Sequence, residues 1–375
     1  MFLPNSEFSD GNSIRPLHDS AEAYPAMLGA IASAQQSVYL ANYCMIQGAA
    51  FNQFREALMK ASRRGIDVRV LLDAYGSKDN DPRQLQALQA AGAKVAYFQP
   101  FQLLHPLRYN QRLHKKLLIV DNKIGFTGGI GIGDFWLGHS DYPESWRDTH
   151  FQLSGPVVAA MTQGFASSWD QWGNPLASKA KTAAPKSKGG GVEIAAINSH
   201  PSGLTGITPV GQTLLALIQA AKRSITITTG YFGPNRAVAT ALCQAVSRGA
   251  PVRLLTNSIY STHHFVLEAG KQQYGRLLRD GIRIYEYQPT MIHAKLLVID
   301  GKLSCIGSAN LNFRSLYHNQ EFNLVVRDRA LATRLNQDFE RDLQQAHEIK
   351  LAEWQHRPTG AKLRQAISST SRYLF

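Results

Sequence analysis

The chain contains the same pattern of histidine, lysine and aspartate twice, and this duplication constrains its fold more than any other feature. Both copies have the spacing H-x-K-x4-D. The six residues are His114, Lys116 and Asp121 in the first copy, and His293, Lys295 and Asp300 in the second. A turn of small residues follows each copy at the same distance, with Gly128 and Gly129 in the first and Gly307 and Ser308 in the second. Chance would produce both copies with matching turns in roughly one chain in a few thousand, so the repeat indicates a duplicated unit.

The similarity between the two halves extends beyond the motif. The segment SVYLANYCMI at 37–46 resembles SITITTGYFG at 224–233, and AGAKVAYFQP at 91–100 resembles DGIRIYEYQP at 280–289. Each half is predicted to contain three helix and strand pairs, followed by the strand that carries the motif. Strands rich in Val, Ile and Leu that alternate with amphipathic helices, such as residues 53–63, are typical of an α/β fold. Since the period is about half of the chain, we predict two tandem α/β sandwich domains in a pseudo-twofold, bilobal arrangement, and not a solenoid.

The length and composition agree with two domains. A chain of 375 residues that is 44% hydrophobic can bury two ordinary cores. Between the halves, apolar periodicity gives way to Ala, Lys, Pro, Ser and Gly, which predicts a flexible linker. The predicted boundaries are 1–172 for the first half, 173–191 for the linker, 192–346 for the second half and 347–375 for a basic amphipathic tail.

The charge and the cysteines restrict the partners and the compartment. A net charge of +13 attracts anionic surfaces, of which nucleic acid and acidic lipid headgroups are the main candidates, although simple solubility also accounts for it. Cys44, Cys243 and Cys305 are far apart in apolar segments, so we expect buried, unpaired side chains in a reducing cytoplasm. The sequence contains neither a secretory signal pattern nor an apolar run of about 20 residues, so we expect no transmembrane anchor.

The motif residues predict chemistry on a phosphodiester. If the halves pack so that both motif strands end at one pocket, two imidazoles and two ammonium groups converge there, which is costly without an anion. The lysines would neutralise phosphate oxygens, so that no metal or other cofactor is required. Further hydrogen bonds to the phosphodiester would come from substrate-binding groups, namely Asn310, Ser308 and the backbone amides around Gly128 and Gly129.

Two histidines permit a two-step displacement. One neutral imidazole attacks phosphorus while the other, protonated, donates to the departing alkoxide, and an alcohol or water then attacks the phosphohistidine. An ordinary histidine pKa of about 6.5 suits a group that gives and takes a proton near neutrality. Asp121 and Asp300 each follow a strand where the chain turns, and we expect them to accept backbone N–H bonds there rather than to touch substrate.

With these motifs and turns the sequence resembles the phospholipase D superfamily, from about His18 to Ala346. The segments YPAMLGAIASAQQSVYL at 24–40, SWRDTHFQLSGPVV at 145–158 and SCIGSANLNFRSLYHNQEFNLVV at 304–326 resemble the bacterial cardiolipin synthases of that superfamily. The closest resemblance is to the short form that lacks an N-terminal membrane span. It implies two phospholipase D-like domains with one shared active site, and catalytic roles for all six motif residues.

The resemblance also implies a function. One phosphatidylglycerol would form a phosphatidyl-histidine, and the glycerol headgroup of a second lipid would accept the phosphatidyl group to give cardiolipin. By analogy His114 is the nucleophile and His293 the acid and base, although the near symmetry of the halves leaves the reverse open. Asp148 and Glu321 would orient the imidazoles, unless they form ordinary ion pairs with arginines such as Arg147.

The implied partners are anionic phospholipids, namely phosphatidylglycerol and cardiolipin, and the implied location is the cytoplasm, peripheral to the bacterial inner membrane. The alternatives are a phosphodiesterase or nuclease that uses water as acceptor, and an inactive binding module. Nucleic acid is disfavoured because no stripe of interleaved aromatic and basic residues is present, and the intact motifs disfavour the inactive module. The acceptor alcohol, the acyl preference and the oligomeric state are left open.

Two residues depart from the family pattern, and two segments are candidates for membrane contact. Gly131 stands where the family usually has Asn, so one expected polar donor is missing, and Ala41 stands where many relatives carry Glu. The segment 101–113 and the tail 359–375 are the candidate membrane segments, and the tail could equally pack on its own domain. Its apolar face would comprise Leu363, Ile367, Thr370 and Leu374.

Overall fold

A computed structural model of the protein describes residues 7–100, 110–140, 145–173, 176, 191–201, 206–260 and 264–360. The strands of the first half are β1 Phe8–His18, β2 Ser37–Asn42, β3 Asp67–Asp73, β4 Lys94–Phe98, β5 Leu117–Val120, β6 Ile124–Gly128 and β7 Thr149–Ser154. Those of the second half are β8 Val192–Ser199, β9 Ile225–Thr229, β10 Val252–Asn257, β11 Arg283–Tyr287, β12 Lys295–Ile299, β13 Leu303–Gly307, β14 Glu321–Arg327 and β15 Ala346–Ile349.

Helices connect these strands in the order that the sequence predicts. The helices of the first half are α1 Asp19–Ser33, α2 Ala49–Arg63, α3 Pro82–Ala90 and α4 Val157–Trp169. Those of the second half are α5 Pro209–Ala220, α6 Arg236–Ser247, α7 His264–Lys271, α8 Tyr274–Arg279, α9 Phe313–Tyr317, α10 Arg329–Leu343 and α11 Leu351–Gln355. Several helices begin at a polar side chain that accepts a backbone N–H of the first turn, which satisfies a donor that the helix itself leaves unpaired. These capping residues are Asp81, Thr208, Asn235 and Asp328.

All the strands belong to one sheet, in the order β15-β11-β10-β9-β12-β13-β14-β8-β1-β7-β6-β5-β2-β3-β4. The two halves join where β1 pairs with β8 in antiparallel register. These two joining strands precede the first helix of their halves and were not predicted. The strand β1 reads FSDGNSIRPLH, in which glycine, proline and polar residues obscure the alternation of a strand.

The two halves share a core as well as a sheet. Tyr39 and Phe165 of the first half and Leu296 and Phe322 of the second belong to one cluster of buried apolar side chains. Each half also has its own core between its sheet and its helices. The predicted α/β fold with two related halves is therefore confirmed.

The strand directions place the start of each motif strand at the equivalent edge of the sheet in its half. In the first half β2, β3 and β4 are parallel, and the motif strand β5 is antiparallel to β2. The second half repeats this arrangement with β9, β10, β11 and the motif strand β12. Each motif strand therefore begins at the edge where the parallel strands of its half end.

The second half of the chain extends past its predicted end at residue 346. The strand β15 pairs with β11, and the ring of Trp354 packs against that of Tyr274 with centroids 5.1 Å apart, so the second half continues beyond residue 346. Most of the predicted linker, and residues 361–375 of the predicted tail, lie outside the described residues. Cys44, Cys243 and Cys305 are buried and unpaired. No helix within the described ranges has the length and apolar character of a membrane span.

Candidate active site

The backbone beside each motif histidine pairs with the opposite half of the chain. The N–H of His114 donates to the carbonyl of Gln320 over 2.8 Å, and the N–H of His293 donates to the carbonyl of Arg147 over 2.7 Å. Both contacts belong to isolated parallel β-bridges between the two halves. One bridge joins Leu113 to Gln320, and the other joins Ile292 to Arg147. Each histidine therefore lies next to the residue that precedes an acid in the opposite half.

These bridges create two crossed pairs of histidine and carboxylate. The Nδ1 of His114 lies 2.9 Å from Oε1 of Glu321, and the Nδ1 of His293 lies 2.8 Å from Oδ2 of Asp148. Both acids are fully buried. The guanidinium of Arg147 instead pairs with Asp342 over 3.1 Å, so the alternative of an Arg147 ion pair for Asp148 does not describe the structure.

The carboxylates fix how the imidazole protons are placed. Because an ionised carboxylate can only accept, Nδ1 carries a hydrogen in each ring, and the lone pair of a neutral ring is then on Nε2. Burial lowers the pKa of His114 to about 4 and that of His293 to about 3, against the opposing pull of their acid partners. Burial alone would raise the pKa of Glu321, but His114 and the hydroxyl of Ser308 lower it to about 2. The resting site therefore holds neutral imidazoles and ionised acids. The pKa values of both histidines are lower than the ordinary value that the sequence analysis assumed.

The two motif lysines lie in the same cluster. The ammonium of Lys116 donates to the backbone carbonyl of His114 over 3.0 Å, and that of Lys295 donates to the carbonyl of His293. Burial lowers the pKa of Lys295 to about 7, and it also lowers the pKa of Lys116. The charge of each lysine also lowers the histidine pKa of the other half, which shows that the four groups converge. Such a cluster attracts an anion.

Asp121 and Asp300 do not join this cluster. Asp121 follows β5 and accepts the backbone N–H groups of Gln35, Gln36 and Ser37 at distances of 2.7 to 2.9 Å. Asp300 does the same for the three residues that precede β9. Because a strand advances about 3.3 Å per residue, both acids lie at the opposite edge of the sheet from the histidines. Their contacts fix the strand ends, and they touch neither imidazole.

The small-residue turns make room for the acids. A Cβ on Gly129 would lie 2.1 Å from Oδ1 of Asp148, and the N–H of Gly129 already donates to the carbonyl of Thr149. Gly128, at a φ of +152°, has backbone atoms of Thr149 and His150 in the space of a Cβ. The predicted hydrogen bond from the Gly129 amide to a phosphodiester is therefore wrong for this arrangement, because that donor is already used.

Ser308 and Asn310 have different roles. The hydroxyl of Ser308 donates to Oε2 of Glu321 over 2.5 Å, and since a hydroxyl has one hydrogen, the predicted donation to substrate is not available. Ser308 thus orients the acid. Asn310 is buried, and its Oδ1 is without a hydrogen-bond partner among the described residues. Asn310 is therefore the predicted substrate-binding side chain whose amide oxygen is left unsatisfied within the protein.

Comparison with known proteins identifies the family. The family model described as "Cardiolipin synthase, PLD-like domain" matches residues 27–134 and 214–343. The chain belongs to this family. It is 31% identical over 359 residues to the cardiolipin synthase of Geobacillus kaustophilus, covering 94% of this chain and 70% of that protein. It is 30% identical over 368 residues to the major cardiolipin synthase of Bacillus subtilis, covering 96% and 75%. The protein is thus a phosphatidyltransferase of the phospholipase D superfamily.

Solved structures agree on the fold. The phosphatidylserine synthase of Haemophilus influenzae matches all of this chain and 98% of its own, with a TM-score of 0.77 at 14% identity. A polyphosphate kinase from Porphyromonas gingivalis matches 88% of this chain and 50% of its own, with a TM-score of 0.60 at 14% identity. At these identities the comparison shows a shared fold.

The space beside Gly131, where the family pattern has Asn, is filled by an indole ring. A Cβ on Gly131 would lie 2.6 Å from the ring of Trp136, so the indole occupies the space beside this glycine. The indole Nε1–H donates to Oδ2 of Asp148 over 3.1 Å. In the second half the hydroxyl of Ser315, as far beyond Ser308 as Trp136 is beyond Gly129, donates to Oε1 of Glu321 over 2.7 Å. Each acid therefore accepts a hydrogen bond from a side chain at the equivalent sequence position of its half. The donor is an indole in the first half and a hydroxyl in the second.

The second departure, Ala41, lies fully buried on β2 opposite Leu117. Its position is next to the motif strand, and it brings no polar group to the site. The corresponding strand position of the second half is Thr228, which pairs with Leu296 in the same way.

Several residues that support the site are not apparent from the sequence. The side chain of Lys115 is buried and donates to Ser168 over 2.8 Å, and Ser168 donates to Oε1 of Gln320 over 2.6 Å. This chain of contacts supports the bridge beside His114. Trp136 could have been found by aligning the two motif copies, which places it opposite Ser315, whereas the contacts of Lys115 depend on packing between the halves.

The indole hydrogen bond gives a first prediction. Replacing Trp136 by Phe keeps an aromatic ring but removes the donor to Asp148, and a hydrogen bond to a charged group contributes about 1.5–3 kcal/mol. We expect kcat to fall by roughly tenfold to a hundredfold, since each 1.4 kcal/mol is about a factor of ten. Asp148 also becomes more basic, so the acidic limb of the kcat/KM profile should move to higher pH.

Trp146→Phe is the matched control for this experiment. Its ring also packs against His293, with centroids 5.2 Å apart, but within the described chain it makes no hydrogen bond to Asp148. An unshifted pH profile in Trp136→Phe, or the same shift in Trp146→Phe, would contradict the role of the indole donor.

Proposed function

We propose that this protein makes cardiolipin from two molecules of phosphatidylglycerol through a covalent phosphohistidine. The observation that carries the proposal is the crossed pairing of His114 with Glu321 and of His293 with Asp148 around two buried lysines. This arrangement supplies a nucleophile, a proton carrier and positive charge for a phosphodiester. The family membership gives the class of reaction.

In the first step the Nε2 of His114 attacks phosphorus. The P–O bond to the headgroup glycerol breaks, and His293 gives a proton to the departing oxygen. The resting imidazole of His293 is neutral, because burial lowers its pKa to about 3. Entry of a phosphodiester anion raises the histidine pKa, so substrate binding itself favours the protonated form that the step needs.

In the second step the glycerol headgroup of another phosphatidylglycerol enters. His293 takes a proton from its hydroxyl, the oxygen attacks phosphorus, and the P–N bond to His114 breaks. The products of the two steps are glycerol and cardiolipin. The ammonium groups of Lys116 and Lys295 stabilise the charge on the phosphoryl oxygens, together with the side-chain NH2 group of Asn310, which donates to them.

The location follows from the substrate. A diacyl lipid presents its headgroup at a bilayer surface, and a protein with a net charge of +13 is attracted to anionic lipid. We therefore place the protein in the cytoplasm, peripheral to the inner membrane, with phosphatidylglycerol and cardiolipin as its lipid partners. We propose 1–172 as the first catalytic half, and a second half that begins at 192 as predicted and extends past the predicted end at 346 through β15.

Lipid analysis provides the test. Pure protein incubated with phosphatidylglycerol vesicles should release glycerol and form cardiolipin, as measured by mass spectrometry. Because the lysines supply the positive charge, EDTA should leave the rate unchanged. Phosphatidic acid as the sole lipid product would show that water is the acceptor, and cleavage of DNA or RNA without lipid turnover would show a nuclease. Either result would overturn the proposal.

A further inference from the structure

Large apolar side chains that face solvent are concentrated at two loops. Within the described ranges the exposed ones are Tyr75 at 44%, Tyr97 at 37%, Ile259 at 68% and Tyr260 at 45%. Single exposed apolar residues are ordinary on protein surfaces. Here three of the four lie on loops that follow equivalent strands, 74–76 after β3 and 258–260 after β10. We refer to these segments as the two edge loops.

Both edge loops are fixed directly to the chain beside a motif histidine. Asp73, which ends β3, accepts the N–H of Leu113 over 2.8 Å. Asn257, which ends β10, accepts the N–H of Ile292 over 2.7 Å. Each bonded N–H belongs to the residue just before His114 or His293. The exposed side chains of the edge loops therefore flank the active site from both halves.

The chemistry of the first edge loop suits a lipid headgroup region. The ammonium of Lys78 lies 4.7 Å from the ring centroid of Tyr75, and the guanidinium of Arg112 lies 5.4 Å from it. Tyrosine has an apolar body and a polar end, and it is enriched where membranes meet water. The exposed ammonium of Lys78 is attracted to acidic headgroups, whereas Arg112 is buried and pairs with Asp73 over 3.4 Å. The second edge loop adds Ile259, an aliphatic side chain with most of its surface in water.

We propose that the two edge loops are the surface by which this protein docks on an anionic lipid bilayer. Tyr75, Ile259 and Tyr260 enter the headgroup region, and they hold the edge that carries both histidines against the membrane. The inference rests on the proposed function, because it assumes a lipid substrate. It assigns the contact to loops that differ from both segments suggested by the sequence, 101–113 and 359–375.

Vesicle binding by the full chain tests this surface. The probe is sedimentation with vesicles of phosphatidylcholine alone or mixed with phosphatidylglycerol. Burying an aliphatic and an aromatic side chain contributes enough apolar area that the double substitution Ile259→Ser and Tyr260→Ser should weaken binding to the mixed vesicles by at least about tenfold. Tyr75→Ser should weaken it by a smaller factor, and wild-type binding should be much weaker on phosphatidylcholine alone.

Tyr97→Ser is the matched control, since Tyr97 is an exposed tyrosine on β4 and outside both edge loops. Turnover of a short-chain phosphatidylglycerol below its micelle concentration should be the same in the wild type and in every variant, because that substrate needs no bilayer.

The inference would be overturned by unchanged vesicle binding in the double variant, by equal loss in Tyr97→Ser, or by a change of oligomeric state that accounts for the loss. Failure of the proposed function is distinguishable, since vesicle binding would then depend on the edge loops while no cardiolipin forms.

Discussion

His114→Ala and His293→Ala should each lower turnover of phosphatidylglycerol by at least about a thousandfold, because each removes a group that takes part in both chemical steps. Without His114 no phosphohistidine forms, and without His293 neither the leaving oxygen nor the acceptor hydroxyl exchanges its proton. The effects should not add in the double variant, since one missing group already stops the reaction. Initial rates of glycerol release measure the loss.

The design must separate chemistry from folding. Each substitution leaves a fully buried carboxylate, Glu321 or Asp148, without its imidazole partner, and an unpaired buried charge is destabilising. His114→Asn and His293→Asn keep a side-chain nitrogen near the acid, so they should retain more stability while remaining inactive. His139→Ala is the control, because His139 is an exposed histidine outside the site. Near-normal turnover in any of the His114 or His293 variants would rule out the shared site.

The fold and the meeting of the two motifs at one site were largely predictable because the duplication repeats local patterns. The order of helices and strands, the two motif strands and the convergence of His114 with His293 all follow from segments that resemble each other in the two halves. The joining strand β1 was missed, because its glycine, proline and polar residues hide the period of a strand. Its pairing with β8 depends on contacts between distant parts of the chain, and no local pattern specifies them.

The predicted turns were located correctly, but one of their roles was not. A glycine beside a phosphate-binding motif commonly supplies its amide to the ligand. Gly129 instead leaves room for the carboxylate of Asp148, because it has no Cβ. Its N–H donates to the carbonyl of Thr149 and is not available to a ligand. Sequence spacing could suggest that Asp148 and Glu321 orient the imidazoles. Only the bridges between the halves decide that each acid serves the histidine of the other half.

The surroundings of the two histidines differ enough to suggest separate roles. The side chain of His293 is 6% exposed and packs against the rings of Trp136 and Trp146, with centroids 5.5 and 5.2 Å away. The side chain of His114 is 12% exposed, and among the described residues the aromatic ring beside it is that of Tyr43, at 5.4 Å. Indole rings close to an imidazolium stabilise its positive charge. We therefore propose His293 as the proton carrier once substrate is bound, and His114, the more exposed of the two side chains, as the group that attacks phosphorus.

A substrate whose leaving group needs no proton tests that assignment. In His293→Ala, a phosphatidyl ester of p-nitrophenol should react with His114 and release nitrophenolate in a stoichiometric burst. The reaction should then stall, because no group remains to activate the acceptor. Radiolabelled phosphatidyl group should accumulate on the protein, and after an acid-free quench, peptide mapping should find it on the peptide that contains His114. His114→Ala should give neither burst nor label. A burst in His114→Ala, with label on the peptide that contains His293, would reverse the two roles and would assign the attacking ring to the half in which two tryptophans surround it.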